Sequence, residues 1–281
     1  MSNFTDKITD SVTESVIATP DPAPTGIPNP IHDEDGASRA GYAGALVAGV
    51  RTYGWAAETI VRAIGEDWLA SGWVDFALRR PLFAGDVLTI KVSKTASHWS
   101  IICTAGSEDR VVLEGTAGLG HADWYAELDP PTPSPAGSPE HPLTSYTLDE
   151  VPYRQPLVPL ATYVTNAEAV RLVNDDLGVD NKRYRVDGSE RHTPIHPYFL
   201  AGRMAPLTRH NYVYGPTIHV RSQIQHVRAP TAEQTITIGA QILDAYDRKG
   251  HWYQVLDGVI TDEHQELAVV RHHTIFRPRS S

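Results

Sequence analysis

The most continuous apolar pattern of the chain lies between Leu46 and Ile64. Apolar side chains fall on nearly every face of a helix built over this segment, and only Arg51, Glu58 and Arg62 carry charge. A helix that is apolar almost all round is buried in a core and does not lie on a surface. The pattern therefore predicts one long core helix in the first third of the chain.

A stiff loop leads into this helix. Pro30 fixes its own φ angle and biases Asn29 toward extended backbone, so little freedom remains in the turn that carries His32. The loop is expected to hold an imidazole at the mouth of a buried helix, where the ring could meet a small molecule. The alternative is a purely structural loop in which His32 caps the helix start.

Strand-like alternation surrounds the helix. One segment precedes it and four follow it, separated by short turn sequences. The predicted strands are Val12–Ala18, Trp73–Leu78, Val87–Val92, Trp99–Ala105 and Val111–Ala117. A helix followed by a run of antiparallel strands predicts an α+β unit.

A proline-rich stretch divides the chain. Residues 129–142 carry six prolines, a composition typical of a semi-rigid linker. We therefore predict a first unit over 1–128, a linker over 129–145 and a second unit over 146–281. In the second unit Thr165 and Glu168 form a capping box, which predicts a short helix over 166–177.

The second unit echoes the first. Thr193-Pro194-Ile195-His196 parallels Asn29-Pro30-Ile31-His32, and His251-Trp252 parallels His98-Trp99 in the same order. This similarity predicts a degenerate internal repeat with a shorter helix in the second copy. By that alignment His196 is the counterpart of His32.

Composition removes several classes of function. The 281 residues carry a net charge of −10, which disfavours a nucleic-acid surface. No apolar run is long enough to cross a membrane, and the start of the chain does not resemble a secretory signal. The single cysteine, Cys103, lies in an apolar run and is expected to be buried, as suits a reducing cytoplasm.

No cofactor or metal is expected either. The chain has no glycine-rich phosphate loop and no Gly-x-Ser-x-Gly elbow. His272 and His273 are adjacent on a predicted strand, so their side chains point to opposite faces and cannot easily hold one ion.

The motifs around the core helix resemble those of the MaoC-like hydratases and dehydratases, the R-specific enoyl-CoA hydratase family. Asn29-Pro30-Ile31-His32 and the later Arg79-Arg80-Pro81-Leu82-Phe83-Ala84-Gly85-Asp86 carry the likeness, which covers about residues 26–92. The resemblance implies two tandem hot-dog units, each an antiparallel sheet wrapped around a helix. It also implies an acyl thioester substrate, on CoA or a carrier protein. A fused pair of units would replace the dimer of single-unit members, and a homodimer of the whole chain stays open.

The resemblance also implies roles for particular residues. His32 would be the acid/base, Asn29 would hold the geometry, and the Gly49 N–H would stabilise the enolate oxygen. Apolar crowding around Tyr53, Trp55 and Leu46 further predicts that Tyr53 on the core helix faces the substrate. Three polar residues of the second unit are further candidates for substrate binding: Arg209, His210 and His196. For Arg209 and His210 a solvated face is an equal alternative.

One departure from the family pattern matters for the chemistry. The signature aspartate, two residues before Asn29, is Ile27 here, and Arg191 holds the corresponding place in the second copy. Neither copy carries a complete site, so the motif predicts weak hydration that Ile27→Asp would raise.

Three functions remain open at the level of sequence. The first is a hydro-lyase acting on an acyl thioester. The second is a cyclase or isomerase of a polyketide-like substrate on the same fold, and the third is an acyl-binding protein without catalysis. A thioesterase is a lesser option, because Glu58 is the only helix carboxylate available for it.

Overall fold

A ten-stranded antiparallel sheet is the framework of the computed structural model, which describes residues 10–22, 29–39, 41–106, 109–185, 192–213, 215–263 and 265–279. The strands run in the order β1-β3-β4-β5-β2-β7-β10-β9-β8-β6. Their bounds are β1 Ser11–Ile17, β2 Gly72–Leu78, β3 Val87–Lys94, β4 Trp99–Ala105, β5 Arg110–Leu119, β6 Leu160–Val164, β7 Ile218–His226, β8 Gln234–Arg248, β9 His251–Thr261 and β10 Glu266–Arg277. All five strands predicted in the first half are present.

The sheet continues across the two halves of the chain. Strands β1 to β5 form one end and β6 to β10 the other, and they meet where Trp73–Ala77 of β2 pairs antiparallel with Arg221–Gln225 of β7. With helices on one face of each half, the chain is an α+β double hot-dog, which confirms the predicted fold class.

The core helix of the first half is α2, Gly49–Ile64. It begins later than Leu46, where the apolar pattern starts, because the preceding residues pair with another segment. Leu46 bridges Phe83, and the Val47 N–H donates to the Leu82 carbonyl over 2.9 Å, so the backbone stays extended up to the helix start. Nearly all of α2 is buried, as its apolar pattern predicts.

The other helices are short. In the first half they are α1 Glu34–Arg39 and α3 Trp68–Ser71, and in the second half α4 Asn166–Arg171, α5 Pro197–Ala201 and α6 Met204–Asn211. The predicted capping box at Thr165 and Glu168 starts α4. This helix then loosens into a π-helical turn over Leu172–Asp176, so the predicted segment 166–177 is helical but not one regular α-helix. None of the helices in the described ranges is long and apolar enough to cross a membrane.

The backbone pairing before α2 and before α5 defines how the two copies correspond. The Val47 N–H donates to the Leu82 carbonyl, and the Ile195 N–H donates to the Pro230 carbonyl, both over 2.9 Å. In each half this bond closes two residues before the helix begins. The structure therefore aligns Ile195 with Val47.

That alignment corrects the repeat inferred from sequence. His196 immediately precedes α5 as Ala48 immediately precedes α2, so His196 corresponds to Ala48 and not to His32. The segment that carries His32 and α1 lies before this point in the first half. Both halves contain the triplet Pro-Ile-His, but identical triplets do not show that their residues hold equivalent positions in the strand pairing.

The proline-rich stretch packs against the second half. The Asp129 N–H donates to the Asp257 carboxylate over 2.6 Å, and the Gly137 N–H donates to the Pro159 carbonyl over 3.1 Å. The unit boundaries at 128 and 146 remain predictions.

Candidate active site

A cavity of about 950 Å³ lies between the two halves of the chain. Its walls come from the His32 loop and the start of α2 on one side, and from α6, β7, β9 and β10 on the other. The volume is within the range of small-molecule sites, which are mostly apolar with a few polar groups. Its polar lining residues include His32, Asp21 and Asn29.

The His32 ring is oriented by two acceptors on one nitrogen. Its Nδ1 lies 2.8 Å from the Leu46 carbonyl oxygen and 3.0 Å from Oδ2 of Asp21. Because both partners are acceptors, Nδ1 carries the proton and Nε2 keeps its lone pair in the neutral ring. The His32 side chain is 28% exposed and lines the cavity, so this Nε2 is positioned to act as a base.

Asp21 is held by three groups at once. It accepts the Ala48 N–H at 3.0 Å, a guanidinium N–H of Arg51 at 2.9 Å and the His32 Nδ1–H. Burial alone would raise the pKa of this carboxyl, but the bonds and charges from His32, Ala48 and Arg51 outweigh it and lower the pKa. Asp21 is therefore an ionised carboxylate at neutral pH.

The contact between Asp21 and His32 has the opposite effect on the pKa of the histidine, which it raises. Burial would lower the pKa of His32, but the hydrogen bond and negative charge of Asp21 dominate and raise it above 6.5. The positive charge of Arg209 opposes the increase. His32 thus combines a lone pair on Nε2 with a carboxylate that stabilises its protonated form.

Arg51 explains how Asp21 reaches the site. It is 1% exposed, and it donates to the Thr19 carbonyl at 2.7 Å and to the Asp176 carbonyl at 2.8 Å. The end of β1 is fixed beside it, because Ala18 exchanges backbone bonds with Asp86 and Gly85. The buried arginine and this strand end together fold the segment of Asp21 over the start of α2.

Asn29 connects the His32 loop to the second half. Its Nδ2 donates to the Thr217 carbonyl at 2.8 Å, and its Oδ1 accepts the Thr217 N–H at 3.2 Å. The Nδ2 also lies 3.4 Å from His32 Nε2. Asn29 therefore fixes the position of the loop relative to β7.

Gly49 places the first turn of α2 on the cavity wall. The first N–H groups of a helix have no partner within it and lie at the positive end of its dipole. A Cβ at Gly49 would lie 2.1 Å from Cδ1 of Leu78, so a larger residue here would require the end of the Leu78 side chain to move.

Two residues predicted to bind substrate lie on the cavity wall. Arg209 and His210, at the end of α6, both contribute to the lining. The His210 Nε2 lies 3.0 Å from the Gly137 carbonyl oxygen, so this ring is tied to the proline-rich stretch. Their contact with substrate remains a prediction.

The structure does not bring Tyr53 or His196 into the lining formed by the described residues. Tyr53 is fully buried and stacks on Phe76 with ring centroids 4.5 Å apart. His196 is also fully buried, and its Nε2 lies 2.9 Å from Glu58 Oε1. Both were expected at the cavity, and both are instead used in packing between α2 and its neighbours.

Several polar residues of the cavity escaped the sequence reasoning. They are Asp21, Thr217 and His219; for His272 the sequence indicated no role beyond a weak metal site with His273. A signal existed for the first, because Arg51 is a charge on an otherwise apolar helix, and buried charges are paired. No local signal pointed to the others, since they meet the site only through strand pairing.

Comparison with solved structures places the chain among double hot-dog proteins. It is similar to a MaoC-like dehydratase (16% identity, 90% of each chain, TM-score 0.59). It is also similar to Rv0216, a conserved hypothetical protein from Mycobacterium tuberculosis with a double hot-dog fold (15% identity, 86% of each chain, TM-score 0.57). A third structure is described as an oleoyl thioesterase from Lactobacillus plantarum (8% identity, 98% of this chain and 99% of that one, TM-score 0.52).

At these identities the likeness is one of fold. No family model and no curated protein matches the sequence. The fold expected from the MaoC-like resemblance is confirmed, and dehydratases and thioesterases share it. The activity must therefore be argued from the residues of this site.

Proposed function

We propose that the chain is a hydro-lyase of acyl thioesters, with His32 as acid/base and Asp21 as the carboxylate that positions it. The observation that carries the proposal is the orientation of His32. Its Nδ1–H is held by Leu46 and Asp21, which leaves Nε2 as a base on the wall of a large cavity. The carrier of the acyl group is CoA or a carrier protein.

In the proposed hydration the imidazole of His32 carries out both proton transfers, one at the water that attacks C3 and one at C2. The Nε2 lone pair of His32 takes a proton from water as the water oxygen bonds to C3 of the enoyl thioester. The π electrons of the C2–C3 bond move toward the thioester carbonyl and give an enolate. The imidazolium then returns the proton to C2, the carbonyl re-forms, and His32 is neutral again. Dehydration follows the same steps in reverse.

Asp21 supplies charge and orientation in this scheme and transfers no proton itself. Its two oxygens already accept from Ala48, Arg51 and His32, and its pKa is lowered. An ionised carboxylate behind Nδ1 stabilises the imidazolium that forms during the reaction. Asp21 thereby provides the carboxylate that the motif lacks at Ile27, a residue outside the described ranges.

The enolate oxygen would be stabilised at the start of α2. Gly49 and Val50 both line the cavity, and their N–H groups belong to the first turn of a helix of 16 residues. Donors fixed before the reaction stabilise developing negative charge without reorganisation. Asn29, which bonds to both backbone groups of Thr217, would keep the His32 loop in register with this turn.

The placement of Glu58 favours the lyase over a thioesterase. A helix carboxylate that attacks a thioester, or activates water for it, has to reach the substrate. Glu58 is 4% exposed, bonds to His196 at 2.9 Å and Asn181 at 2.7 Å, and does not line the cavity formed by the described residues. Burial opposes its ionisation, yet the bond and charge of His196 lower the pKa of Glu58, as for a satisfied structural carboxylate.

The proposal is tested by the loss of enoyl-thioester absorbance with crotonyl-CoA and longer enoyl-CoA substrates. We expect hydration by the native protein, and a decrease of about 10²–10⁴-fold in kcat for His32→Ala with an unchanged circular dichroism spectrum. Unchanged turnover in His32→Ala would reject the role of His32. Tight binding of acyl-CoA without any turnover would favour the acyl-binding protein.

A further inference from the structure

A second polar group lies in the cavity, on paired strands of the second half. The His219 Nε2 lies 2.8 Å from the Ser222 Oγ, and this oxygen lies 3.0 Å from the His272 Nδ1. Ser222 and His272 are direct partners in the pairing of β7 with β10, and the two imidazole centroids are 4.4 Å apart. Both rings line the cavity, whereas Ser222 is fully buried beneath them. We call His219, Ser222 and His272 the histidine pair with its bridging serine.

Neither imidazole is charged near neutral pH. Burial lowers the pKa of His219 to about 3, and burial together with the neighbouring His219 lowers that of His272 well below 6.5. Two rings this close could not both be protonated in any case. The pair is therefore a neutral hydrogen-bonding surface, unlike His32, and it is a poor candidate for acid/base chemistry.

The number of protons on the two rings and the serine determines which hydrogen-bonding groups the pair leaves free. The serine has one hydrogen, so it donates to one ring and accepts from the other. If it donates to His272, then His272 keeps an N–H at Nε2 and His219 keeps a lone pair at Nδ1. If it donates to His219, the free donor and the free acceptor change places. In both arrangements the pair ends in one free donor and one free acceptor.

One of these ends, on His219, is not satisfied within the described part of the protein. The Nδ1 of His219 is buried and has no hydrogen-bond partner there. A buried polar atom without a partner is costly, so such atoms usually meet a ligand or an ordered water. The described residues also offer no cluster of three or more His, Cys, Asp or Glu side chains that could hold a metal ion.

We propose that the histidine pair binds an oxygen function carried on the acyl chain of the substrate. A hydroxyl group both donates and accepts, so it matches the free donor and acceptor of the pair in either arrangement. A keto oxygen would match the donor alone. The inference rests on the proposed acyl thioester substrate. It narrows the substrate class to acyl chains that carry an oxygen function, as polyketide-like chains do.

The position of the pair fits a group remote from the reacting carbons. Thr217, which bonds to Asn29 beside His32, precedes His219 by two residues. Two residues of extended strand span about 7 Å. The second oxygen would therefore lie several carbons beyond the thioester end of the acyl chain.

The test is calorimetric titration of the full chain with matched ligands. They are decanoyl-CoA and the hydroxydecanoyl-CoA isomers that carry the hydroxyl on successive carbons of the distal half. We expect at least one isomer to bind about tenfold more tightly than decanoyl-CoA, and His219→Phe and His272→Phe to reduce this preference to about twofold or less. His272→Gln, which keeps a donor and an acceptor, should restore part of it.

His226→Phe is the matched control. His226 is also a buried histidine with a pKa lowered to about 4 by burial, but it packs against Trp68 and does not line the cavity. It should leave the preference unchanged. Equal affinity of the native protein for all these ligands would overturn the inference, as would a preference that survives both phenylalanine variants.

Two further outcomes separate this inference from the proposed reaction. A protein that hydrates enoyl-CoA but binds plain and hydroxylated chains equally would keep the hydro-lyase and reject the role of the histidine pair. A protein that prefers the hydroxylated chain but hydrates nothing would keep the role of the pair and reject the hydro-lyase. Should the phenylalanine variants not fold, ¹⁵N NMR of the native imidazoles replaces them. The ring signals of His219 and His272 must then shift with the hydroxylated ligand and not with decanoyl-CoA.

Discussion

Asp21→Asn removes the charge behind His32 with almost no change of shape. In the native protein the carboxylate stabilises the imidazolium that forms when Nε2 takes a proton. The amide of asparagine is neutral, and it can also turn its NH₂ group toward Nδ1, which would favour the wrong tautomer of the ring. We therefore expect a slower enzyme whose His32 also titrates at lower pH.

The size of the effect follows from the 3.0 Å contact between Asp21 and His32. At an effective dielectric constant of about 20, two unit charges at this distance attract by about 5.5 kcal/mol. That value is an upper limit, because burial of both groups cancels part of it. Since about 1.4 kcal/mol corresponds to a factor of ten in rate, kcat should fall by about 10²–10⁴-fold.

The pH dependence gives a second and independent readout. Hydration needs neutral His32, so activity is lost as pH falls through its pKa. In the native protein that pKa is raised, which places the midpoint of the acidic limb of kcat/KM above 6.5. In Asp21→Asn only burial remains as the main influence, so the midpoint should move to lower pH.

The assay is enoyl-CoA hydration across pH, with Asp75→Asn as the matched control. Asp75 also pairs with an arginine, Arg221, but it does not line the cavity. The control should keep the native rate and the native midpoint. A native rate in Asp21→Asn, or an acidic limb that does not move, would refute the coupling of Asp21 to His32.

Three further variants test separate parts of the account. Asn29→Ala should lower kcat by about tenfold, less than a change at a proton-transfer group, as measured by steady-state hydration. His196→Ala removes one of the two side-chain donors that bond to the buried Glu58 carboxylate and should cost about 1–3 kcal/mol of unfolding free energy in urea denaturation; a loss near zero would contradict this bond. Gly49→Ala should cost about 1 kcal/mol or less in urea denaturation, because the nearest atom is the end of the Leu78 side chain, which can rotate away; a loss above about 3 kcal/mol would show that Leu78 cannot move.

The elements that the sequence predicts well are those with local signals. The apolar pattern from Leu46 to Ile64 corresponds to α2, and the alternating segments correspond to β1 to β5. Hydrophobic periodicity reports such elements because it depends only on neighbouring residues. The start of α2 was misjudged because the pairing of Val47 with Leu82 is a contact across the sequence.

The candidate site could be predicted only in part. His32 and Asn29 belong to a contiguous motif, and both line the cavity. Asp21 lies in a proline-containing segment, and its contact with His32 depends on the pairing of β1 with β3 and on the buried Arg51. Such non-local contacts leave no periodic trace in the sequence.

In the second half, too, contacts between distant residues could not be predicted from the sequence. His272 was noticed only as a neighbour of His273, and its contact with Ser222 depends on the register of β7 against β10. The predicted gain from Ile27→Asp stays a prediction, because Ile27 lies outside the described ranges. The expectation of weak hydration also stays a prediction, because Asp21 transfers no proton in the proposed scheme and His32 still acts at both carbons.

The central claim is that Asp21 and Leu46 hold His32 with its proton on Nδ1 and its lone pair directed to the cavity. A ¹⁵N NMR titration of the ring of His32, assigned by comparison with His32→Ala, measures this directly. The account predicts the Nδ1–H tautomer at high pH and a pKa above 6.5 that decreases in Asp21→Asn. An Nε2–H tautomer, or a pKa below 6.5 in the native protein, would contradict it.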